Sequence, residues 1–181
     1  MLTFEEAMTL TSTISSPTAF DDSECLFYFE MLRRIPKHGL AVEVGLQYGR
    51  SSSIALQVAQ DVGFDYVGID TFDEAPDVRE AWAKMAEPYT KCVYVAPSTS
   101  VTGIGDIDLI LIDGDHSFEG VMADCKHFEP MMKDWGLMMF HDFARESLPD
   151  VERAVRAFFS DKPEWFPYGI GGTLAAWRKQ G

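Results

Sequence analysis

The sequence is poor in positive charge relative to negative charge. Fifteen lysine and arginine residues stand against 29 aspartate and glutamate residues, so the formal net charge is −14. Such an acidic surface repels a phosphate backbone, and the composition therefore argues against DNA or RNA as the main partner. A cationic ligand would be tolerated well, although solubility alone is a sufficient reason for the charge.

Cysteine is also sparse, and long apolar runs are absent. Cys25, Cys92 and Cys125 lie far apart without a CxxC pair, which indicates reduced thiols that act mostly as small core residues. No apolar run approaches the roughly 20 residues that a membrane helix needs. The beginning of the chain carries Glu5 and Glu6 and lacks the basic segment of a signal peptide. We therefore expect a cytoplasmic protein without membrane contact.

From residue 40 onward, short runs rich in β-branched residues alternate with longer segments of helical periodicity. The predicted strands are LAVEVG, YVGID, CVYVAP, DLILID and LMMFHDF, and WFPYGIGGTLAAWRK adds two strands around a glycine turn. This alternation predicts a parallel sheet with helices on both faces. A short turn joins the two closing strands, so we expect antiparallel pairing at one side of the sheet.

The chain length fits a single domain over residues 1–181. Residues 40–181 form the predicted α/β core, which is Rossmann-like and doubly wound. Residues 1–39 lie outside the alternation, and their segment DDSECLFYFEMLRRI is typical of a helix. This helical extension could be a lid, a helix that covers the sheet or a dimer contact.

Ligands of such sheets bind beyond the carboxyl ends of the parallel strands. Four of the five ends carry acids, which is unusual for plain turns. The residues at these ends are Glu43 and Gly45, Asp70, Pro97 and Ser98, Asp113, and His141 with Asp142.

The loop VEVGLQYGRSS follows the first strand and contains Gly45 and Gly49. Its spacing is not the dinucleotide pattern GxGxxG, and a structural turn explains the two glycines about as well as a ligand does. Glu43 disfavours an anionic ligand beside this loop. Asp70 ends the second strand, where an acid accepts hydrogen bonds from ribose hydroxyls, unless it belongs to an ordinary solvated turn. Together these residues indicate a nucleoside that carries positive charge.

Three segments resemble the class I S-adenosylmethionine-dependent methyltransferases. They are VEVGLQYGRSS, YVGID and DLILIDGDHSFEGVMADCKHFEPMMKDWGLMMFHDF. The resemblance covers about Leu40 to Trp177 and is strongest to the small O-methyltransferase-like group with a D-G-D-H strand end. It implies a seven-stranded, mostly parallel sheet with an antiparallel last strand, and S-adenosylmethionine as the cofactor.

The resemblance also implies cofactor contacts, which can be assigned residue by residue. The implied contacts are Glu43, Gly45 and Gly49 for the methionine part, Asp70 for the ribose, Phe72 and Ser98 for the adenine, and Asp113 at the end of the fourth strand.

A hydroxyl nucleophile is poor while protonated, so methyl transfer to oxygen needs a base or a metal. Catechol-type methyltransferases, which this chain resembles, use D-x-x-K after the fourth strand and two adjacent metal ligands after the fifth. Here D-x-x-K becomes Asp113-Gly114-Asp115-His116. The resemblance therefore implies Asp113 and His116 as the catalytic residues, with His116 as the base. An unperturbed histidine pKa of about 6.5 suits proton abstraction.

The same resemblance implies three metal ligands, Asp113, His141 and Asp142. An oxygen-only set suits magnesium, whereas an imidazole ligand favours manganese, iron or zinc. In the alternative interpretation of these residues, His141 is not a metal ligand and the site binds no metal. Asp113 would then anchor its turn through an Asx hydrogen bond.

We therefore expect an S-adenosylmethionine-dependent methyltransferase that acts on a hydroxyl of a small molecule or sugar. We expect a base to assist the reaction, and a divalent metal such as Mg²⁺ or Mn²⁺ is a possible second source of assistance. A metal-dependent hydrolase or phosphatase is one alternative, although its D-x-D motif belongs on the first strand of a domain. A non-catalytic protein that binds a nucleoside cofactor is the other. A homodimer is compatible with the sequence.

Overall fold

The computed structural model describes residues 1–14, 20–73 and 76–181. Its strands are β1 (Leu40–Val44), β2 (Asp65–Asp70), β3 (Cys92–Val95), β4 (Ile107–Ile112), β5 (Met132–Phe140), β6 (Trp165–Gly171) and β7 (Leu174–Lys179). Its helices are α1 (Phe4–Thr11), α2 (Asp22–Leu32), α3 (Arg50–Val62), α4 (Pro76–Ala86), α5 (Phe118–Phe128) and α6 (Pro149–Phe159), with short 3-10 turns at Ser98–Ser100 and Glu129–Met131. Among the described helices, none combines the length and apolarity that crossing a membrane requires.

The seven strands form one sheet in the order β3-β2-β1-β4-β5-β7-β6. Strands β1 to β5 pair in parallel, whereas β7 pairs antiparallel with both β5 and β6. The predicted Rossmann-like, doubly wound sheet with its antiparallel last strand is therefore confirmed. Because β1 and β4 are neighbours at the centre, the loops after them meet at the same edge of the sheet.

Apolar side chains cover both faces of the central strands. In β4, Leu109 and Leu111 belong to the core shared with α1, α2, α3 and α4, whereas Ile110 and Ile112 face α5 and α6. Since successive residues of a strand point to opposite faces, an uninterrupted run such as LILI produces a strand that is buried on both sides. The predicted helices on both faces of the sheet follow from this pattern.

Helix α2 of the N-terminal extension packs on one face of the sheet, near its antiparallel end. Helix α2 buries Cys25, Tyr28 and Leu32 and contacts α3, β6 and β7. Arg50, the first residue of α3, donates hydrogen bonds to the carbonyl oxygens of Thr11 at 3.4 Å and Phe20 at 2.7 Å. The extension is thus joined to the helix that follows the first glycine loop.

The doubly buried position of Leu111 provides a test of the core. We expect Leu111→Ala to lower the free energy of unfolding by about 2–5 kcal/mol, because it removes fully buried methyl groups in the central strand. The matched change Val93→Ala, in the partly exposed edge strand β3, should cost less than about 1.5 kcal/mol. Denaturant titration measures both values. Equal losses would contradict the assignment of β4 as the centre of the core.

Candidate active site

The carboxyl ends of β1 to β4 surround a cleft of about 490 Å³, a volume typical of small-molecule sites. Its wall comes from the loops after these strands and from the first turns of α5. The lining residues include Gly45, Gln47, Asp70, Thr71, Ala96, Pro97, Ser98, Asp113, Gly114, Asp115, His116, Gly120, Ala123 and Asp124. The structure thus places Gly45, Asp70, Ser98, Asp113 and His116 around one cleft.

Gly45 allows β1 and β4 to come together at the floor of the cleft. Its φ of 86° lies in the left-handed region, and a Cβ atom there would collide with the backbone of Asp113. Only glycine meets both conditions without strain. Gly49 also has a positive φ, of 88°, but it is the N-cap residue before α3 and faces Trp82 and Met85 rather than the cleft.

Asp70 holds the loops on either side of the cleft. Its Oδ2 accepts hydrogen bonds from the backbone N–H groups of Leu46 at 2.6 Å and Gln47 at 3.2 Å, and its Oδ1 accepts from Phe72 at 2.6 Å. Oδ2 thereby uses both of its acceptor sites, whereas Oδ1 has one site left. Asp70 can therefore shape the glycine loop and still accept a hydrogen bond from a ligand.

Three strand ends at this edge carry non-glycine residues with left-handed backbone. Gln47 after β1, Phe72 after β2 and Asp142 after β5 have φ values of 42°, 55° and 58°. Such conformations cost free energy and tend to cluster at functional sites, where the surrounding contacts hold them. The ring of Phe72 packs at 6.2 Å from that of Trp82 and is buried in the core below the loop.

A cluster of four side chains adjoins the cleft at the ends of β4 and β5. Asp113 Oδ1 lies 3.2 Å from His116 Nε2 and 3.0 Å from His141 Nδ1. Asp142 Oδ2 lies 3.3 Å from His116 Nε2 and 3.5 Å from His141 Nδ1. Four ligand-type atoms therefore point at one another, and all of them lie within 4.8 Å.

His141 is the buried cation of this cluster. Burial by itself lowers the pKa of His141, but the charge and hydrogen bond of Asp113, the hydrogen bond of Glu24 and the charge of Asp142 outweigh it and raise the pKa to about 10. Phe20 stacks on its ring at a centroid distance of 4.5 Å. A protonated His141 thus balances the acids around it.

Glu24 belongs to this site although sequence reasoning did not identify it. Its Oε2 lies 3.4 Å from His141 Nε2, and its Oε1 accepts hydrogen bonds from the N–H and hydroxyl of Thr173. Burial raises the pKa of Glu24, but the bonds from His141, Thr173 and the Asp21 backbone lower it to about 2. The signal in the sequence is only a capping box between Asp21 and Glu24, which indicates a helix start and nothing about its partner.

His116 is the most accessible member of the cluster. A third of its side chain is exposed, against 19% for Asp113 and 4% or less for His141 and Asp142. The hydrogen bond with Asp113 raises the pKa of His116, burial opposes the rise, and the charges of Asp113 and Asp142 support it. His116 is therefore the side chain that a molecule entering from solvent can reach.

The cluster brings four possible ligand atoms for a divalent ion close together. A tetrahedral ion with bonds of about 2.0–2.1 Å needs ligand atoms about 3.3–3.4 Å apart; four of the six separations are 3.0–3.5 Å, and all six are within 4.8 Å. Outer contacts support the ligands, because Glu24 contacts the second nitrogen of His141 and Arg145 contacts Oδ1 of Asp142 at 2.9 Å. The three predicted ligands fit a metal, and His116 is a fourth candidate.

Glu43 points into the protein on the side of α3. Its carboxylate is fully buried and accepts hydrogen bonds from Ser51 at 2.5 Å, Ser52 at 3.1 Å and Tyr66 at 2.6 Å. Trp82 in turn donates to Ser52 at 3.0 Å. Burial raises the pKa of Glu43 to about 7 against the opposing hydrogen bonds. The residue therefore lies behind the glycine loop, outside the lining of the cleft.

Asp124 is a second acid of the cleft that sequence reasoning missed. It lies on α5, only 3% exposed, and its Oδ1 accepts a hydrogen bond from the hydroxyl of Ser98. Burial raises the pKa of Asp124, and the Ser98 hydrogen bond opposes the rise. The helical periodicity of α5 places Asp124 beside Cys125 near the sheet, but periodicity does not reveal the cleft above it.

The sheet order and the cleft at the ends of its parallel strands define a class I methyltransferase fold. A family of methyltransferase domains matches residues 42–143, which is more than half of the chain. The chain therefore belongs to this methyltransferase domain family, and the predicted relation to the class I S-adenosylmethionine-dependent methyltransferases is confirmed. No curated protein matches the sequence.

Solved structures with the same fold are numerous. A cofactor-bound protein from MTB has a TM-score of 0.74 at 15% identity, covering 97% of this chain and 88% of that protein. A putative caffeoyl-CoA O-methyltransferase from Staphylococcus aureus has a TM-score of 0.70 at 13% identity, covering 99% and 93%. An O-methyltransferase from Bacillus cereus in complex with SAH has a TM-score of 0.69 at 12% identity, covering 97% and 90%.

The raised pKa of Glu43 predicts a specific dependence of stability on pH. Between the ordinary carboxyl pKa of 4.5 and about 7, the folded protein binds more protons at Glu43 than the unfolded chain does. The contribution of this group to stability is therefore greatest below pH 4.5 and falls as the pH rises through 7. Glu43→Gln removes the charge, so the stability of the variant relative to wild type should rise between pH 5 and pH 8.

The expected relative gain is on the order of 3 kcal/mol, which denaturant titration at both pH values would detect. Glu80→Gln removes an exposed charge and serves as the control, for which we expect no such gain. A constant difference between wild type and Glu43→Gln from pH 5 to pH 8 would contradict the assignment.

Proposed function

We propose that the protein transfers the methyl group of S-adenosylmethionine to a hydroxyl oxygen of a small molecule or sugar. The observation that carries the proposal is the position of the Asp113–His116–His141–Asp142 cluster beside a cleft lined by Gly45 and Asp70. A cofactor-type cleft and a proton-accepting side chain thus lie next to each other, as transfer to a hydroxyl requires.

The cleft has the chemistry that the cofactor needs. S-adenosylmethionine supplies an electrophilic methyl group on a positively charged sulfonium. Asp70 Oδ1 has an acceptor site left for a ribose hydroxyl, and the acids of the cleft create a negative potential that favours a cation. The volume of about 490 Å³ suits a nucleoside with an amino-acid arm.

His116 is the base in this proposal. Its Nε2 faces the carboxylates of Asp113 and Asp142 and keeps its proton there, so Nδ1 removes the proton from the acceptor hydroxyl. The oxygen then forms its new bond to the methyl carbon while the carbon–sulfur bond breaks. Asp113 at 3.2 Å and Asp142 at 3.3 Å stabilise the imidazolium that results. The exposure of His116 gives the acceptor a route to this nitrogen.

A divalent metal is a further part of the proposal. Asp113, His141 and Asp142 would hold the ion, which would replace the proton on Nδ1 of His141, with Glu24 behind the ring at Nε2. A bound metal would lower the pKa of the acceptor hydroxyl and thereby share the work of the base. Two imidazoles near the ion favour manganese, iron or zinc over magnesium.

Two structural neighbours agree with oxygen as the acceptor atom. Both neighbours are O-methyltransferases by name, and one of them was crystallised with SAH. The family match favours this activity over a metal-dependent phosphatase. A non-catalytic cofactor-binding protein can be distinguished from a methyltransferase by one measurement, because it would transfer no methyl group to any hydroxyl.

Replacing Asp70 tests the cofactor. We expect Asp70→Ala to weaken the binding of S-adenosylhomocysteine at least 50-fold or so, because the change removes charged hydrogen-bond acceptors from the ribose and releases the N–H groups of the glycine loop. Isothermal titration calorimetry measures the affinity. Asp65→Ala, at the opposite end of β2, should bind as wild type does. Unchanged affinity in a folded Asp70→Ala variant would refute the cofactor assignment.

Replacing His116 tests the base. We expect His116→Ala to bind S-adenosylhomocysteine normally and to lose roughly 10²- to 10⁴-fold in the rate of methyl transfer. The assay uses labelled S-adenosylmethionine and the best acceptor from a panel of catechols and sugars. His38→Asn, at an exposed position with positive φ that asparagine tolerates, is the control.

Titration with Mn²⁺ separates the two possible roles of His116. If His116 is only the base, His116→Ala should bind Mn²⁺ with nearly unchanged affinity. If His116 is also a metal ligand, the same variant should bind Mn²⁺ more weakly. Normal turnover by His116→Ala would show that His116 is not the base.

A further inference from the structure

Arg145 is a partly exposed cation beside the site. Its guanidinium donates to Asp142 Oδ1 at 2.9 Å, and its side chain is 39% exposed. A guanidinium carries five N–H donors in a planar fork, and within the described part of the chain Asp142 is its one hydrogen-bond partner. Most of the donors of Arg145 are therefore left for a molecule that enters from solvent.

Arg145 and His116 flank the same buried carboxylate. Asp142 presents Oδ1 to Arg145 and, at 3.3 Å, Oδ2 to His116, while its own side chain is only 4% exposed. Because a single carboxylate separates the two accessible side chains, a ligand that contacts both needs to span little more than one six-membered ring. The hydroxyl that His116 deprotonates and the group that Arg145 binds would then lie on opposite sides of that ring.

The turn after β5 fixes the position of Arg145. Its N–H donates to the carbonyl oxygen of Asp142 at 3.2 Å, and its carbonyl oxygen accepts from Leu148 at 2.9 Å. The N–H of Phe143 donates to the carbonyl oxygen of Thr173 at 2.9 Å, which ties the turn to the closing hairpin. A side chain on such a braced turn loses less conformational freedom when it binds a ligand than one on a loose loop does.

The charges around the cleft restrict what Arg145 can bind. No lysine or arginine is among the described residues that line the cleft, so an anionic acceptor needs a cation outside this lining, which Arg145 supplies. The charges of Asp142, Glu24 and Asp113 act on the same place, and they repel a dianion such as phosphate more strongly than a monoanion. A carboxylate carries one charge and fits the guanidinium fork with two parallel hydrogen bonds.

We propose that Arg145 binds a carboxylate of the methyl acceptor, and that the acceptor is therefore a hydroxy acid with both groups on one ring. Phenolic acids and uronic acids share this chemistry. The inference rests on the proposed function, because it takes methyl transfer to a hydroxyl as the reaction. It makes Arg145 a specificity-determining residue that selects the acceptor through binding and takes no part in bond formation.

The test compares acceptors that differ in the charge of one group. The pairs are protocatechuate with its amide and glucuronate with its amide, which represent the phenolic and the sugar class. Each compound is assayed with labelled S-adenosylmethionine on wild type and on Arg145→Gln. We expect wild type to prefer the acid of one pair by about 10- to 100-fold in kcat/KM, mainly through KM, and the preference of Arg145→Gln to fall below about threefold.

Two variants serve as controls. Arg153 likewise contacts an aspartate three residues earlier, Asp150, but this pair is exposed on α6. Arg153→Gln removes an equal charge and should keep the wild-type preference. Arg145→Lys keeps the charge and loses the planar fork, so it should retain part of the preference.

A binding measurement tests the same preference without turnover. Both pairs are titrated by calorimetry into the complex of wild type with S-adenosylhomocysteine, where we expect the acid of one pair to bind about 10- to 100-fold more tightly than its amide. This measurement uses wild type alone and therefore does not depend on the folding of a variant.

The outcomes separate this inference from the proposed function. Absence of methyl transfer to every hydroxyl would overturn the proposed function, whereas calorimetry tests the carboxylate site by itself. Equal affinity of wild type for acid and amide in both pairs would overturn the role of Arg145. An equal loss for acid and amide in Arg145→Gln would overturn it too, because Arg145 would then only steady Asp142. A wild-type preference that Arg145→Gln loses supports the inference, and the pair that shows it identifies the acceptor class.

Discussion

Balance of buried charge at His141 is the constraint on which the site depends. The ring lies between Asp113 and Glu24, 97% shielded from solvent, and each of its nitrogens has a carboxylate partner. Removing either acid would leave a buried charge without compensation, which typically costs 3–5 kcal/mol or so. The contacts of His141 therefore hold three parts of the chain in register: α2 through Glu24, the end of β4 through Asp113, and the end of β5 through His141 itself.

This constraint makes the N-terminal extension part of the site. Glu24 lies outside residues 42–143, which match the methyltransferase domain family, yet it contacts His141 and ties Thr173 of the closing hairpin to the same place. The shared methyltransferase core provides the cleft, and the extension closes the cluster from behind. In the proposed reaction, the extension then orients the acids that stabilise a protonated His116, although none of its described residues lines the cleft.

Much of the fold and part of the site follow from local patterns. The run LILI requires a strand buried on both faces, and alternation with amphipathic helices requires parallel pairing, so the positions of Asp70 and Asp113 at one sheet edge could be predicted. The hydrogen-bond partners of Glu43 could not be predicted from the sequence. Its place in the loop motif suggested a ligand, whereas the structure directs its carboxylate to Ser51 and Tyr66, because strand alternation turns this side chain towards α3.

By itself, the sequence determined the order of strands and helices along the chain, the acidic strand ends and the glycines of the loop after the first strand. These features depend on periodicity and backbone geometry over a few residues, which a sequence displays directly. Only the tertiary structure decided that Glu24 contacts His141 and that Ser98 contacts Asp124, because these pairs are 117 and 26 residues apart. Contacts of this kind arise from the packing of helices on a twisted sheet, and no local pattern encodes the side chain that each acid will meet.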